Sequence, residues 1–222
     1  MNDSQFLTVT EAAEALGVSP RHVRRLADSG AVTRIARGII DRESVDRYIV
    51  SQRQSRTRAW SEPTAWGAAA ILSGRTPDWL GASQTSRLRH SLREITGADE
   101  LITRMREHSQ VHTFHAHRAA VPRLRSLIEM SDHTQLGLSG TAGDVIDGYI
   151  GGDESGEVIR ALGLLPDVHG NVTLRVVTLD FDHVRPLVTT RVVAALDAAG
   201  STDPRTRGVG EHALEDILEA LA

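Results

Sequence analysis

Cysteine is absent from the 222 residues. Disulfides, thiolate metal sites and a cysteine nucleophile are therefore excluded. Lysine is absent as well, so all 25 basic residues are arginine. Aromatic residues make up only 4% of the chain. No apolar run approaches the ~18 residues of a membrane-spanning helix. The first residues, MNDSQFLTVTEAAEALG, lack the basic start and apolar stretch of a secretory signal. A cytoplasmic protein with no membrane partner is the expectation.

The net charge of −4 hides an asymmetry. Residues 1–60 carry ten Arg against seven Asp and Glu, a balance of +3, and the remainder fifteen against twenty-two, a balance of −7. A basic module on an acidic body fits a protein that touches nucleic acid through one face only.

Three stretches separate along the chain. Residues 1–50 are compact and periodic. Residues 51–63, SQRQSRTRAWSEP, read as a polar, arginine-rich linker closed by proline. Residues 64–222 read as a larger mixed α/β domain, which makes the whole an α+β protein. Within it the pattern predicts helices at 64–73, 83–95, 98–108, 119–130, 141–148, 187–198 and 208–221. Strands are predicted at 111–117, 135–139, 157–165 and 171–179.

The first stretch is the most informative. Thr8 and Glu11 have capping-box spacing, and Ala12, Ala13 and Leu16 give the helix that follows an apolar stripe. Gly17 ends it. Ser19-Pro20 then offers an N-cap and a proline at the first helical position for a second helix over 20–29. Val23 and Leu26 face inward there. Arg21, His22, Arg24 and Arg25 are left near the outward N-terminal half, which is where a recognition helix needs its basic residues. Arginine serves both tasks at such a place, bidentate contact to guanine or a charged bond to phosphate. Gly30 stops the second helix. Residues 32–40 read as a hairpin, with Gly38 at the turn and Arg34 and Arg37 at the tip. Asp41 can cap a third helix over 42–50. Ser19, Arg21, His22, Arg24, Arg25, Arg34 and Arg37 are the candidate DNA-contacting residues.

LTVTEAAEALGVSPRHVRRLADSGAVTRIARGIIDRESVDRYI, residues 7–49, resembles the excisionase-type winged helix-turn-helix related to MerR. A fainter likeness lies in the C-terminal half. GLLPDVHGNVTLRVV (163–177) and VVAALDAAGSTDPRTRGVGEHALEDIL (192–218) resemble AbiEi-like antitoxins, whereas the short wing at the front departs from them. That second resemblance implies a regulator that represses its own operon through an N-terminal winged helix-turn-helix. It also implies a C-terminal domain that neutralises a nucleotidyltransferase-like toxin.

Other chemistry-bearing residues have simpler readings. His115 and His117 share a strand face, but His112 lies opposite and no acid completes a metal site. LSGTAGD (138–144) lacks the Lys-Ser/Thr of a P-loop. Asp144 with Asp147, and Asp180 with Asp182, have no base or nucleophile beside them and read as caps and strand ends. Asp197, Asp203, Arg205 and Arg207 are candidates for a charge cluster clamping the last helix. Trp60, Trp66 and Trp79 read as a small aromatic core.

The expectation is therefore a sequence-specific transcriptional regulator, with an autorepressing antitoxin as the leading form. Double-stranded operator DNA is the partner of residues 1–50. A cognate toxin, or a second copy in a homodimer, is the partner of residues 64–222. No catalytic residue, metal or cofactor is expected. The alternatives are an excisionase-type architectural factor, usually little more than the winged module, and an enzyme tethered to DNA.

Overall fold

The computed structural model describes residues 6–28, 32–36, 38–42, 44–45, 48, 58–138, 145–201 and 203–221. The protein is of the α+β class and divides into two compact units, Met1–Thr57 and Arg58–Ala222.

In the first unit, β1 (Phe6–Thr8) leads directly into α1 (Val9–Leu16). The capping box forms as its spacing predicts. The Glu11 amide donates to the Thr8 hydroxyl at 3.2 Å, and Glu11 Oε2 accepts from the Thr8 amide at 2.7 Å. Gly17 closes the helix at φ +65°, the left-handed conformation that favours glycine. α2 (Pro20–Asp28) follows after two residues. β2 (Arg34–Ala36) and β3 (Ile39–Asp41) make the hairpin, which turns through Gly38 at φ +83°. The sequence missed β1, which pairs antiparallel with β3 and completes a sheet of order β1-β3-β2. Three residues adjoining a capping box carry too little pattern to read as a strand. Leu7, Ala12, Ala13, Val23, Val32, Ile40 and Val45 fill the core. Asp41 Oδ2 accepts from the Ser44 amide at 2.9 Å, and residues 42, 44, 45 and 48 are helical. The rest of the helix predicted over 42–50 lies outside the described residues, as do Gly30, Arg37 and residues 51–57.

The predicted linker over 51–63 is too long at its C-terminal end. Arg58 already belongs to the second unit, the Trp60 amide donates to Arg104 O at 2.8 Å, and a helix begins at Glu62. Proline at 63 starts that helix instead of closing a linker, because the first turn needs no amide donor there.

The second unit contains a four-stranded sheet of order β5-β7-β4-β6, formed by β4 (Gln110–His115), β5 (Ile146–Gly151), β6 (Leu165–Pro166) and β7 (Val172–Val177). β5 and β7 are parallel, and the other pairs are antiparallel. Alternate residues point to opposite faces. Ile146, Ile150, Leu174 and Val176 pack under α6 (Val121–Arg125) and α7 (Gly152–Ala161). Tyr149 and Val177 face a larger core around Trp66. That core is built from α3 (Glu62–Leu72), α4 (Ala82–Arg93), α5 (Ala98–Met105), α8 (Phe181–Val188), α9 (Arg191–Ala199) and α10 (Pro204–Glu219).

Five expected elements differ. The helix predicted over 119–130 ends at Arg125, and Glu129 instead bridges to Tyr149. The strand predicted over 135–139 is a 3-10 turn, His133–Leu136, started by the Asp132 side chain. The helix predicted over 141–148 is replaced by β5, whose two-residue period is obscured by its glycines; residues 139–144 are not described. Of the strand predicted over 157–165, residues 157–161 are the second half of α7, and only Leu165 is extended, at the start of β6. Asp153 and Glu154 favour a helix start, and Val158, Ile159 and Leu162 supply its inward side. The helix predicted over 187–198 is two helices, broken where Thr190 Oγ1 bonds Leu187 O at 2.6 Å.

Candidate nucleic-acid interface

α2 has a buried side and a charged side. Val23 is fully buried and Leu26 packs against the same core, while Arg21, Arg24 and Arg25 are exposed. The helix starts because Ser19 lies just outside it and Pro20 just inside. The His22 amide donates to the Ser19 hydroxyl at 3.3 Å. Ser19 is thus occupied as a cap, and its position sets where the helix begins.

The first turn of α2 contains no acid. Arg21 instead sits at the end where the helix dipole is positive, which costs stability, about 0.3–1 kcal/mol for an exposed charge. That end is suited to an incoming anion. The guanidinium groups of Arg21 and Arg24 have no hydrogen-bond or ion-pair partner among the described residues. Arg25 Nη2 donates to His22 Nδ1 at 3.1 Å, which leaves the other imidazole nitrogen as the donor directed elsewhere. Ser19, Arg21, His22, Arg24 and Arg25 border a single surface concavity.

Arg34 opens β2, and its Nη2 donates to Arg24 O at 3.4 Å. Val9, Arg24, Arg34 and Gly38 border an adjoining cleft of about 610 Å³. Six of the seven sequence-predicted residues therefore lie on or beside one side of this unit. The seventh, Arg37, lies outside the described residues. Sequence reasoning placed Arg34 at the hairpin tip; it stands at the base, paired in register with Ile40.

The second unit holds a buried polar group that sequence reasoning did not find. Tyr149 Oη donates to Asp197 Oδ1 at 2.7 Å and lies 3.0 Å from His108 Nε2. Arg175 sits 3.4 Å from the same Asp197 oxygen and binds Asp147 through two bonds of 2.7 and 2.9 Å. Asp197 Oδ2 is buried with no hydrogen-bond partner among the described residues. Burial pushes the His108 imidazole below its ordinary range, against the pull of Asp197. Burial first, and then Asp197, pushes the Tyr149 phenol up. The one available signal was Arg175, a cation inside the most β-prone run of the chain; its partners come from β5 and α9, far away in sequence. The expected cluster of Asp197, Asp203, Arg205 and Arg207 does not form. Asp197 is inside, and Asp203 caps α10 by accepting from the Thr206 amide at 2.8 Å.

His112 and His115 are exposed on β4. Among the described residues no group of three or more His, Asp and Glu comes close enough to hold a metal ion. Asp147 is committed to Arg175, and Asp180 caps α8. Trp66 is buried and donates to His108 O at 2.8 Å, with Trp60 and Trp79 packed at the edge of its core. Among the described residues no helix is long and apolar enough to cross a membrane.

Comparisons with curated proteins and with solved structures found no match. Residues 2–39 match the family described as "Transcriptional regulator, AbiEi antitoxin". The match covers β1, α1, α2 and β2, the segment with the exposed arginines. It does not fall on the C-terminal stretches from which the sequence likeness to AbiEi proteins was read.

Proposed function

We propose that the protein is a sequence-specific DNA-binding regulator whose first unit is a winged helix-turn-helix, and that it acts as an autorepressing antitoxin. The observation that carries this reading is the exposed basic side of α2, without acids in its first turn, inside a segment that matches a transcriptional-regulator family. In this reading α2 enters the major groove with Arg21, Arg24 and Arg25 at base edges and phosphates. Arg34, with Arg37, approaches the flanking backbone or minor groove. Residues 58–222 serve as the protein-binding unit, for a toxin or for a second copy. The acidic balance after residue 60 disfavours phosphate as the main partner of that unit. No catalytic role is assigned to any residue.

The test has two parts. Footprinting on the DNA upstream of the chain's own coding region should give a protected site. Co-expression with the product of the neighbouring gene should give a stable complex, with relief of that product's toxicity. Absence of the footprint defeats the DNA reading. A footprint without complex or relief leaves a regulator that is not an antitoxin.

A further inference from the structure

Several arginines of the second unit are neutralised in place. Arg104, Arg175, Arg185 and Arg191 each hold a carboxylate oxygen at 2.6–2.9 Å. Arg75, Arg89 and Arg93 do not. None of the three guanidinium groups has a hydrogen-bond or ion-pair partner among the described residues, although acids outnumber arginines in this part of the chain. All three are exposed, and they line one cleft of about 260 Å³ together with Thr76, Ile71 and Leu221.

The placement is not explained by helix electrostatics alone. Arg93 lies in the last turn of α4 and complements the dipole there. Arg89 is one turn earlier, and Arg75 follows the end of α3. Arg89 and Arg93 are four residues apart on one helix, so they share a side with a rise of about 6 Å between them. Three guanidinium groups around one small cleft repel one another until an anion enters.

The cleft also has an apolar part. Ile71 is 9% exposed and belongs to the main core, and Leu221 packs on the same core. A sugar-phosphate backbone offers only the carbons of its sugars to set against them. An amphipathic acidic helix has both: carboxylates four residues apart at the same rise, and an aliphatic side chain between them. We propose that this cleft receives an acidic, amphipathic helical segment of a partner protein, with its carboxylates on Arg75, Arg89 and Arg93. The assignment rests on the reading of residues 58–222 as the protein-binding unit, and gives that unit a docking point.

The test uses the full chain and a labelled helical peptide repeating Glu-Leu-Ala-Ala, with a Gln-Leu-Ala-Ala peptide as control. Fluorescence anisotropy at low salt should show binding of the Glu peptide and none of the control. Arg89→Glu/Arg93→Glu should weaken it at least about tenfold, the scale of one lost charge-assisted contact. Arg75→Ala should weaken it less, and the circular dichroism of both variants should match the parent. Peptide binding that ignores these substitutions overturns the proposal. So does random-sequence duplex DNA that binds through Arg89 and Arg93 while the Glu peptide does not bind, since the cleft is then a nucleic-acid contact. Failure of the parent reading shows elsewhere, as failure to capture the neighbouring gene's product.

Discussion

Arg34 Nη2 donates to the carbonyl oxygen of Arg24 at 3.4 Å, so the hairpin is tied to the middle of α2 by a residue that also carries charge. The two arginines border one cleft and would meet the same duplex. Their contributions nevertheless separate, because one side chain stands on the helix and the other on the strand.

Arg24→Ala and Arg25→Ala should each relax preference at a single operator position. The expected loss is about 1–3 kcal/mol where the arginine reads a guanine edge. Competition binding against a set of single-base operator variants measures this. Equal losses on every sequence would make these residues phosphate contacts only.

Arg34→Ala should weaken binding to all sequences alike and reduce the slope of log K against log salt by about 1. The salt series should be run beside Arg34→Lys, which keeps the charge and loses the planar fork. An unchanged slope in Arg34→Ala, with altered base preference, would assign the strand to base reading.

Thr8→Ala removes the cap of α1 and should destabilise the first unit by about 1 kcal/mol. The Thr8 amide, and then its hydroxyl, hold the Glu11 carboxyl below its usual range. A depressed acid adds stability above its unfolded pKa, and that contribution is lost as pH falls through the folded value. The protection factors of the α1 amides, with the intrinsic pH dependence of exchange divided out, should therefore fall on acidification in the parent and change less in Thr8→Ala. Identical pH dependence in both would contradict the capping role.

In the second unit, Tyr149→Phe leaves Asp197 without its closest donor, a loss of about 1–3 kcal/mol. All three tryptophans lie after residue 57, so their fluorescence in a urea titration reports this unit alone. His108 adds a pH dependence of stated sign. Its folded pKa is lowered from 6.5 by burial, so the unfolded state binds more protons once pH falls below that value. Stability should decline from there and level off past the folded value. His108→Gln should flatten the decline, and a parent that gains stability on acidification would refute it.

What could be read from sequence was local. The Thr8–Glu11 box, the stop at Gly17, the Ser19-Pro20 start and the turn at Gly38 are each decided within about four residues, and all are present. β1 was missed because its partner is β3, more than thirty residues away. In the second unit, apolar content without a clear period misled. Residues 157–161 look β-prone alone, yet the acids of the first turn and packing under β5 and β7 make them helical. The pairing of Arg175 with Asp147 and Asp197 depends on a parallel sheet that no local pattern announces. Arg21, Arg24 and Arg25 were legible because a buried Val23 fixes which side of one short helix faces out.

The central claim is that DNA is met by the outer side of α2 and the base of the hairpin. Amide NMR of the full chain, titrated with duplex DNA from upstream of its own coding region, tests it most directly. The account predicts shifts concentrated at Ser19–Arg25, Arg34 and Gly38, abolished by Arg24→Ala/Arg25→Ala with the fold intact. Shifts confined to residues 58–222, or no shift at residues 19–38 while the duplex is bound, would contradict it.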